Sequence, residues 1–313
     1  MARTAKKRSD ARIPFRVTPM LATLVEKPFD RANWTFEEKY DGIRILAYRE
    51  GGKVTLISRN GIDRTKDFPE VVKAIAALPV ETALLDGEMV IFDAKKISRF
   101  QLLQQSKGKP RYAIFDCLYV NGVDLRAQPL SERREILEKF VETGGPLLLS
   151  ARLSNNGLKA FELAQKKQLE GVVAKNLASR YSERRSHDWL KFKVHQEQEF
   201  VIGGYTKPEG SRTHFGALLL GVYDHGKLAY VGKVGTGFNG ELLASLHKKM
   251  QPLVLKKTAF NTPVDEKYPT FLKPKLVAQI SFTEWTEEGR LRHPVFLGLR
   301  DDKKAAEVHR EGA

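Results

Sequence analysis

The sequence has a single cysteine, Cys117, among 313 residues. That excludes an intrachain disulfide and any cysteine-built zinc cluster, and it fits a reducing, intracellular setting. Cys117 sits in the apolar run RYAIFDCLYV, which reads as a buried strand. No uninterrupted apolar stretch approaches the roughly 18 residues needed to cross a bilayer, and the basic N-terminus lacks the apolar segment of a secretory signal. There is no internal repeat or low-complexity tract. The phosphate-binding pattern G-x-x-x-x-G-K-[ST] is missing, as is H-E-x-x-H, and the seven histidines show no metal-ligand spacing. Nucleotide chemistry in this chain would need another device.

Acidic residues are in deficit. Lys and Arg number 53 against 38 Asp and Glu, a formal charge of +15, and such an excess favours a polyanionic partner. Residues 1–16 read as a basic flexible arm, and residues 17–194 and 195–313 as two domains. In the first domain, β-rich runs such as ALLDGEMVIFD and EGVVAKN alternate with helical ones. Pro69 suits a first helical turn, Ser131 is expected to cap a second helix, and Gly171 to end a third. The second domain is strand-rich, with a hairpin at Asp224–Gly226 and one amphipathic helix, GELLASLHKKM. That texture suits a small β-barrel, of which the five-stranded OB-fold is a common nucleic-acid-binding form. The fold class expected is α+β: antiparallel sheets with flanking helices, followed by an OB-fold barrel.

A neutral lysine amine can attack the α-phosphorus of a nucleotide and hold it as a phosphoramidate. Bringing a lysine pKa from ~10.4 to ~7 takes roughly 4.6 kcal/mol of differential interaction. Neighbouring cations can supply it while also neutralising phosphate, so Lys39 in KYDGIR, with Arg44 and Arg59 close in sequence, is expected to be depressed in this way.

KYDGIR is followed in order by SRNG (Ser58–Gly61), LDGEMV, YAIFD, EGVVAK, WLKFK and RHPVFLGLRDDK. This series resembles the covalent nucleotidyltransferase superfamily, which comprises ATP-dependent DNA ligases, RNA ligases and mRNA-capping guanylyltransferases. MLATLVEKPF, RFQLLQQ and GRLRHPVFLGLRDDK are most similar to the ligase module of bacterial LigD-type end-joining enzymes. Those enzymes often carry polymerase and phosphoesterase domains, for which this chain has no room, so a free-standing ligase is expected. The one small departure is Tyr40, where relatives often have tryptophan.

The resemblance implies an adenylation domain and a C-terminal OB-fold. It implies ATP and Mg²⁺ or Mn²⁺ as cofactors, and nicked duplex DNA as substrate. Lys39 would be the adenylated residue, with Arg44, Lys191 and Lys193 as catalytic partners. Nucleotide contacts would come from Glu37 at the adenine edge, Phe115 stacked on the base, Arg44, Arg59, Glu88, Lys175, Lys191 and Lys193. Arg292, Arg300, Asp302 and Lys303 of the second domain would meet the β and γ phosphates, the barrel closing for adenylation and reopening for DNA. Glu88 and Glu170 are the metal candidates, and Arg184 or Arg185 would grip the nick's 5′-phosphate. A monomer working in the cytoplasm on nucleoid DNA is expected. RNA ligase, capping guanylyltransferase and a non-catalytic nucleic-acid-binding relative are the alternatives; an NAD-dependent ligase is disfavoured by the missing zinc cysteines.

Overall fold

The computed structural model describes residues 12–194, 196–210 and 212–311. The chain forms two compact units, Met1–Val194 and His195–Ala313. Of the expected arm, residues 1–11 lie outside the described part, while Phe15 sets its ring 5.4 Å from that of Tyr48.

Two sheets build the first unit. One runs Leu21–Leu24, Arg185–Lys193, Gly171–Asn176, Trp34–Glu38, Arg152–Ser154 in spatial order. Strand alternation splits its residues cleanly. Even-numbered Phe36, Val172, Ala174, Leu190 and Phe192 pack against Ala160 and Ala164 of the helix Gly157–Lys166. Odd-numbered Glu37, Lys175, Trp189, Lys191 and Lys193 alternate with them along the same strands.

The second sheet runs Lys53–Ser58, Ile43–Glu50, Thr82–Val90, Arg111–Val120, Val123–Asp124, with Leu147–Leu149 also on Arg111–Val120. Ile43, Ile45, Leu85 and Met89 bury one side against Val71 and Ile75 of the helix Pro69–Ala76. Leu46, Tyr48, Leu84 and Phe115 cluster with Trp189 of the first sheet. The two sheets therefore share a seam, and the motif residues line it. Within these otherwise antiparallel sheets, Leu21–Leu24 and Leu147–Leu149 pair in parallel.

The Asp-Gly step of KYDGIR is built for close packing. A methyl group at Gly42 would lie 2.1 Å from the Met89 carbonyl oxygen, so a side chain there would pry the nucleophile segment off the second sheet. Asp41 fixes the other flank: its backbone N–H donates to Ser98 Oγ (3.0 Å), and its carboxylate accepts from the Phe100 N–H (3.0 Å).

Two helix ends differ from expectation. Ser131 lies inside the helix Leu130–Glu138 and caps nothing. The first N–H groups are satisfied by backbone instead, Leu130 donating to the Ser179 carbonyl and Ser131 to that of Leu177. The helix Gly157–Lys166 ends through Gln168 at φ 57°, with the Leu169 N–H on the Ala164 carbonyl. Gly171 opens the next strand, because a Cβ there would meet the Phe192 carbonyl at 2.3 Å.

The second unit is a strand-rich body of OB-like type. Its main sheet runs Lys227–Val234, Leu218–Asp224, Gln196–Tyr205, Thr270–Phe282, Val254–Leu255, with Val295–Leu299 also on Thr270–Phe282. That is six strands where five were expected. The hairpin turns at His225 and Gly226, both at positive φ as a two-residue primed turn requires. Asn239 caps the helix Gly240–Met250, which buries Leu243, Leu246 and Met250. Among the described residues no helix is long and apolar enough to cross a membrane.

Candidate active site

Three motifs meet at the ends of three adjacent strands. Lys39 follows Trp34–Glu38 and donates its backbone N–H to the Gly171 carbonyl (3.1 Å). Gly171, next to Glu170, is the register partner of Lys193. Strand pairing thus lines up the nucleophile candidate, a carboxylate and a lysine that are far apart in sequence. The Lys39 amine forms an ion pair with Glu170 and keeps 19% of its side chain exposed.

The expected depression of Lys39 is overturned. Burial does push its pKa down, but Glu170, Asp41 and Glu88 outweigh it and raise the value above that of a free lysine. The charges nearest the amine are carboxylates, and they favour its charged form. The lysine that burial does pull down is Lys175, which is almost wholly enclosed.

Glu37 is 1% exposed. Its Oε2 accepts from Ser150 Oγ (2.9 Å) and Lys175 Nζ (2.8 Å), and Arg134 Nη1 stands 4.0 Å from Oε1. Burial pushes this carboxyl up, yet Lys175 and Arg134 outweigh burial and hold it below the usual carboxylate value. Oε1 itself has no hydrogen-bond partner.

Arg44 donates from Nε and Nη2 to the two oxygens of Asp86 (2.6 and 2.7 Å), and Tyr181 donates to Asp86 Oδ2 (2.6 Å). Its guanidinium lies 4.5 Å from the centre of the Phe115 ring, and Lys175 Nζ lies 4.1 Å from the same centre. Phe115 is 7% exposed. Two cations thus crowd the ring on which a base is expected to stack. Glu88 pairs across strands with Arg44, and the Arg59 N–H reaches the Arg44 carbonyl (3.3 Å). Lys191 pairs with Val173, whose other neighbour is Glu37, placing Lys191 in the Glu37 row.

Arg184 and Arg185 are both exposed, and Arg185 Nη1 is tied to the Ala22 carbonyl (2.5 Å). In the second unit, Arg300 holds Asp302 through two bonds of 2.8 Å, and Glu199 receives Arg300 (3.5 Å) and Lys303 (3.0 Å). Arg292 takes a different partner, Glu284 (2.7 Å). Three of the four expected phosphate contacts thus form one network, and the fourth belongs to another sheet.

Residues 19–193 match the family model of the ATP dependent DNA ligase domain, and residues 211–303 that of the ATP dependent DNA ligase C terminal region. The chain belongs to the ATP-dependent DNA ligase family. The multifunctional non-homologous end joining protein LigD of Pseudomonas aeruginosa is 40% identical over 320 residues, covering 98% of this chain and 38% of that protein. A DNA ligase of Thermococcus onnurineus is 34% identical, covering 88% of this chain and 53% of its own length. The solved mycobacterial DNA ligase D complexed with ATP and MES matches at TM-score 0.72 and 35% identity, over 96% of this chain and 100% of that one. The chain therefore spans about half or less of the curated relatives' own length.

ATP-dependent ligases work with a divalent metal, and the donors in this chain suit Mg²⁺. Glu170 Oε2 is buried without a hydrogen-bond partner, and Glu170 and Glu88 both lie close enough to act on the Lys39 charge. Among the described residues there is no cluster of three or more His, Cys, Asp or Glu that could form a protein-only cage. Mg²⁺ characteristically takes one or two carboxylates and completes its shell with water and phosphate oxygens.

Sequence reasoning missed Asp86, Asp116, Arg133, Arg134, Ser150 and Tyr181 in the ligase site. Asp86 and Asp116 stand inside the quoted motifs LDGEMV and YAIFD, so a charged residue in an otherwise apolar strand was a signal. Arg134 and Ser150 carry none.

Glu38, beside Lys39, is raised from the ordinary 4.5 to about 7, because burial outweighs the attraction of Lys167. A carboxyl raised on folding costs nothing below its unfolded value and costs most above its folded one. Glu38→Gln is therefore expected to stabilise the ligase by about 2 kcal/mol at pH 8, and to be neutral near pH 4. Urea unfolding of both proteins at the two pH values checks this.

Proposed function

We propose that this ATP-dependent DNA ligase seals nicks through an adenylate on Lys39. The Lys39 nitrogen attacks the α-phosphorus of ATP, losing a proton, and the bond to pyrophosphate breaks. The 5′-phosphate of a nick then attacks the lysyl-bound phosphorus, freeing the amine and leaving an adenylated DNA end. The 3′-hydroxyl attacks that end's own phosphorus, a phosphodiester forms, and AMP departs. The gain of the covalent route is that the nick's 5′-phosphate, which has no good leaving group of its own, acquires AMP as one before the 3′-hydroxyl attacks.

The observation that carries this reading is the alignment of Lys39, Glu170 and Lys193 across three neighbouring strands. Lys193 and Lys191 are suited to neutralising the α-phosphate, and Arg44, fixed by Asp86, offers a rigid cation beside it. Arg59 and Glu88 would serve the sugar and phosphates. Glu37 Oε1 is an open acceptor for the adenine amino group. Phe115 would stack on the base, with Arg44 and Lys175 beside its ring. Glu170 and Glu88 would hold the divalent ion, which supplies positive charge that takes their carboxylates away from the Lys39 ammonium and favours its neutral form. Arg184 or Arg185 would hold the nick's 5′-phosphate. Arg300, Asp302 and Lys303, with Arg292, would act on the β and γ phosphates. Relatives named for end joining make the repair of broken DNA the setting we favour.

A chain ending at Val194 is the test of this division of labour. It is expected to lose lysyl-AMP formation from ATP while keeping measurable joining of pre-adenylated nicks. Equal loss of both activities would contradict this division of labour.

A further inference from the structure

We infer that Arg134 is a positioning residue for base selection: its charge, delivered without a hydrogen bond, keeps Glu37 Oε1 an acceptor-only atom that takes a 6-amino purine and rejects a 6-oxo purine. The inference rests on the reading above, in which Glu37 meets the adenine edge.

The two oxygens of Glu37 are treated differently. Oε2 is saturated by Ser150 Oγ at 2.9 Å and Lys175 Nζ at 2.8 Å, whereas Oε1 is buried with no donor. Its nearest cation is Arg134 Nη1 at 4.0 Å, beyond hydrogen-bond range. Arg134 cannot close that gap freely, because its forks are engaged elsewhere. Nη1 donates to the Phe115 carbonyl (3.2 Å), and Nη2 to the Ser150 carbonyl (3.4 Å) and Glu138 (3.5 Å). The side chain is 3% exposed, so water does not screen its charge. The same guanidinium ties together the backbones of Phe115 and Ser150.

An ionised carboxylate has no proton to give. The 6-amino group of adenine donates to Oε1 and satisfies a buried atom. A 6-oxo group sets oxygen against oxygen and leaves both unpaired, and a mismatch of this kind at a buried polar site is strongly rejected. Lys175 is the larger of the two cations that keep Glu37 ionised; removing the Arg134 charge leaves that preference weaker, and a neutral Glu37 can donate to a 6-oxo group.

The test is single-turnover formation of lysyl-nucleotide on the full chain with ATP and with inosine triphosphate, comparing kcat/KM. Arg134→Gln keeps donors for the two carbonyls and drops the charge. It is expected to cut the ATP preference about ten-fold or more, mainly through KM for ATP, while Arg134→Lys holds the preference within about three-fold of the parent. If Arg134→Gln yields no folded protein, Arg134→Met takes its place. An unchanged preference in the charge-free variant, or an equal loss with both nucleotides, overturns the inference. Glu37→Ala separates the two levels: if it keeps the parent preference, the adenine-edge reading of Glu37 falls as well, and if it loses it while Arg134→Gln does not, only the role of Arg134 falls.

Discussion

Lys39→Met is expected to abolish adenylation by ATP, lowering the rate by about four orders of magnitude or more, because no second nucleophile stands where the amine does. In the proposed reaction the amine is the group bonded to phosphorus, so neighbours that only bind or orient cannot replace it. Its loss leaves Glu170 without its cation, and some stability is forfeited with it. A pre-adenylated nick separates the two effects. Joining of that substrate needs no lysyl-AMP and is expected to survive within about ten-fold in the Met variant. Loss of both activities together would mean that the substitution damages the fold or that Lys39 acts in the last step.

Asp116→Ala is expected to destabilise the protein by about 3–5 kcal/mol, a large fraction of a domain's total stability. Asp116 and Arg133 are both fully buried, joined by two bonds of 2.8 Å. Arg133 also donates to the Gln128 (2.6 Å) and Ser179 (2.9 Å) carbonyls. The pair anchors the helix Leu130–Glu138 to the strand that carries Phe115. Removing one member strands a charge in the interior, and that penalty far exceeds the net value of the pair. Asp116→Leu combined with Arg133→Met should therefore recover most of the loss. Urea midpoints of the single and double variants decide it; a double variant no better than Asp116→Ala would show that the bonds to Gln128 and Ser179 carry the effect.

The strands were legible because each motif alternates. Phe36, Val172 and Phe192 fall on even positions and bury themselves in one core, leaving Glu37, Lys191 and Lys193 on the other face. Gly42 was legible as a motif residue, though not as the place where two backbones nearly touch. The charge around Lys39 was not legible. Arg44 is five residues away, but Asp86 engages it, while Glu170, 131 positions downstream, reaches the amine. Proximity in sequence named the wrong sign. The partners of Glu37 escaped for the same reason: Ser150 and Lys175 are 113 and 138 positions away. Ser131 reads as a cap by composition, yet a loop around Leu177–Ser179 supplies backbone acceptors that no local pattern announces.

Everything in this account turns on which atom becomes bonded to the nucleotide. Peptide mass spectrometry of the protein after incubation with ATP and Mg²⁺ tests that directly. One added adenylate on the peptide containing Lys39, lost on incubation with nicked DNA, is the predicted result. An unmodified Lys39 peptide, or an adenylate on any other side chain, would contradict it.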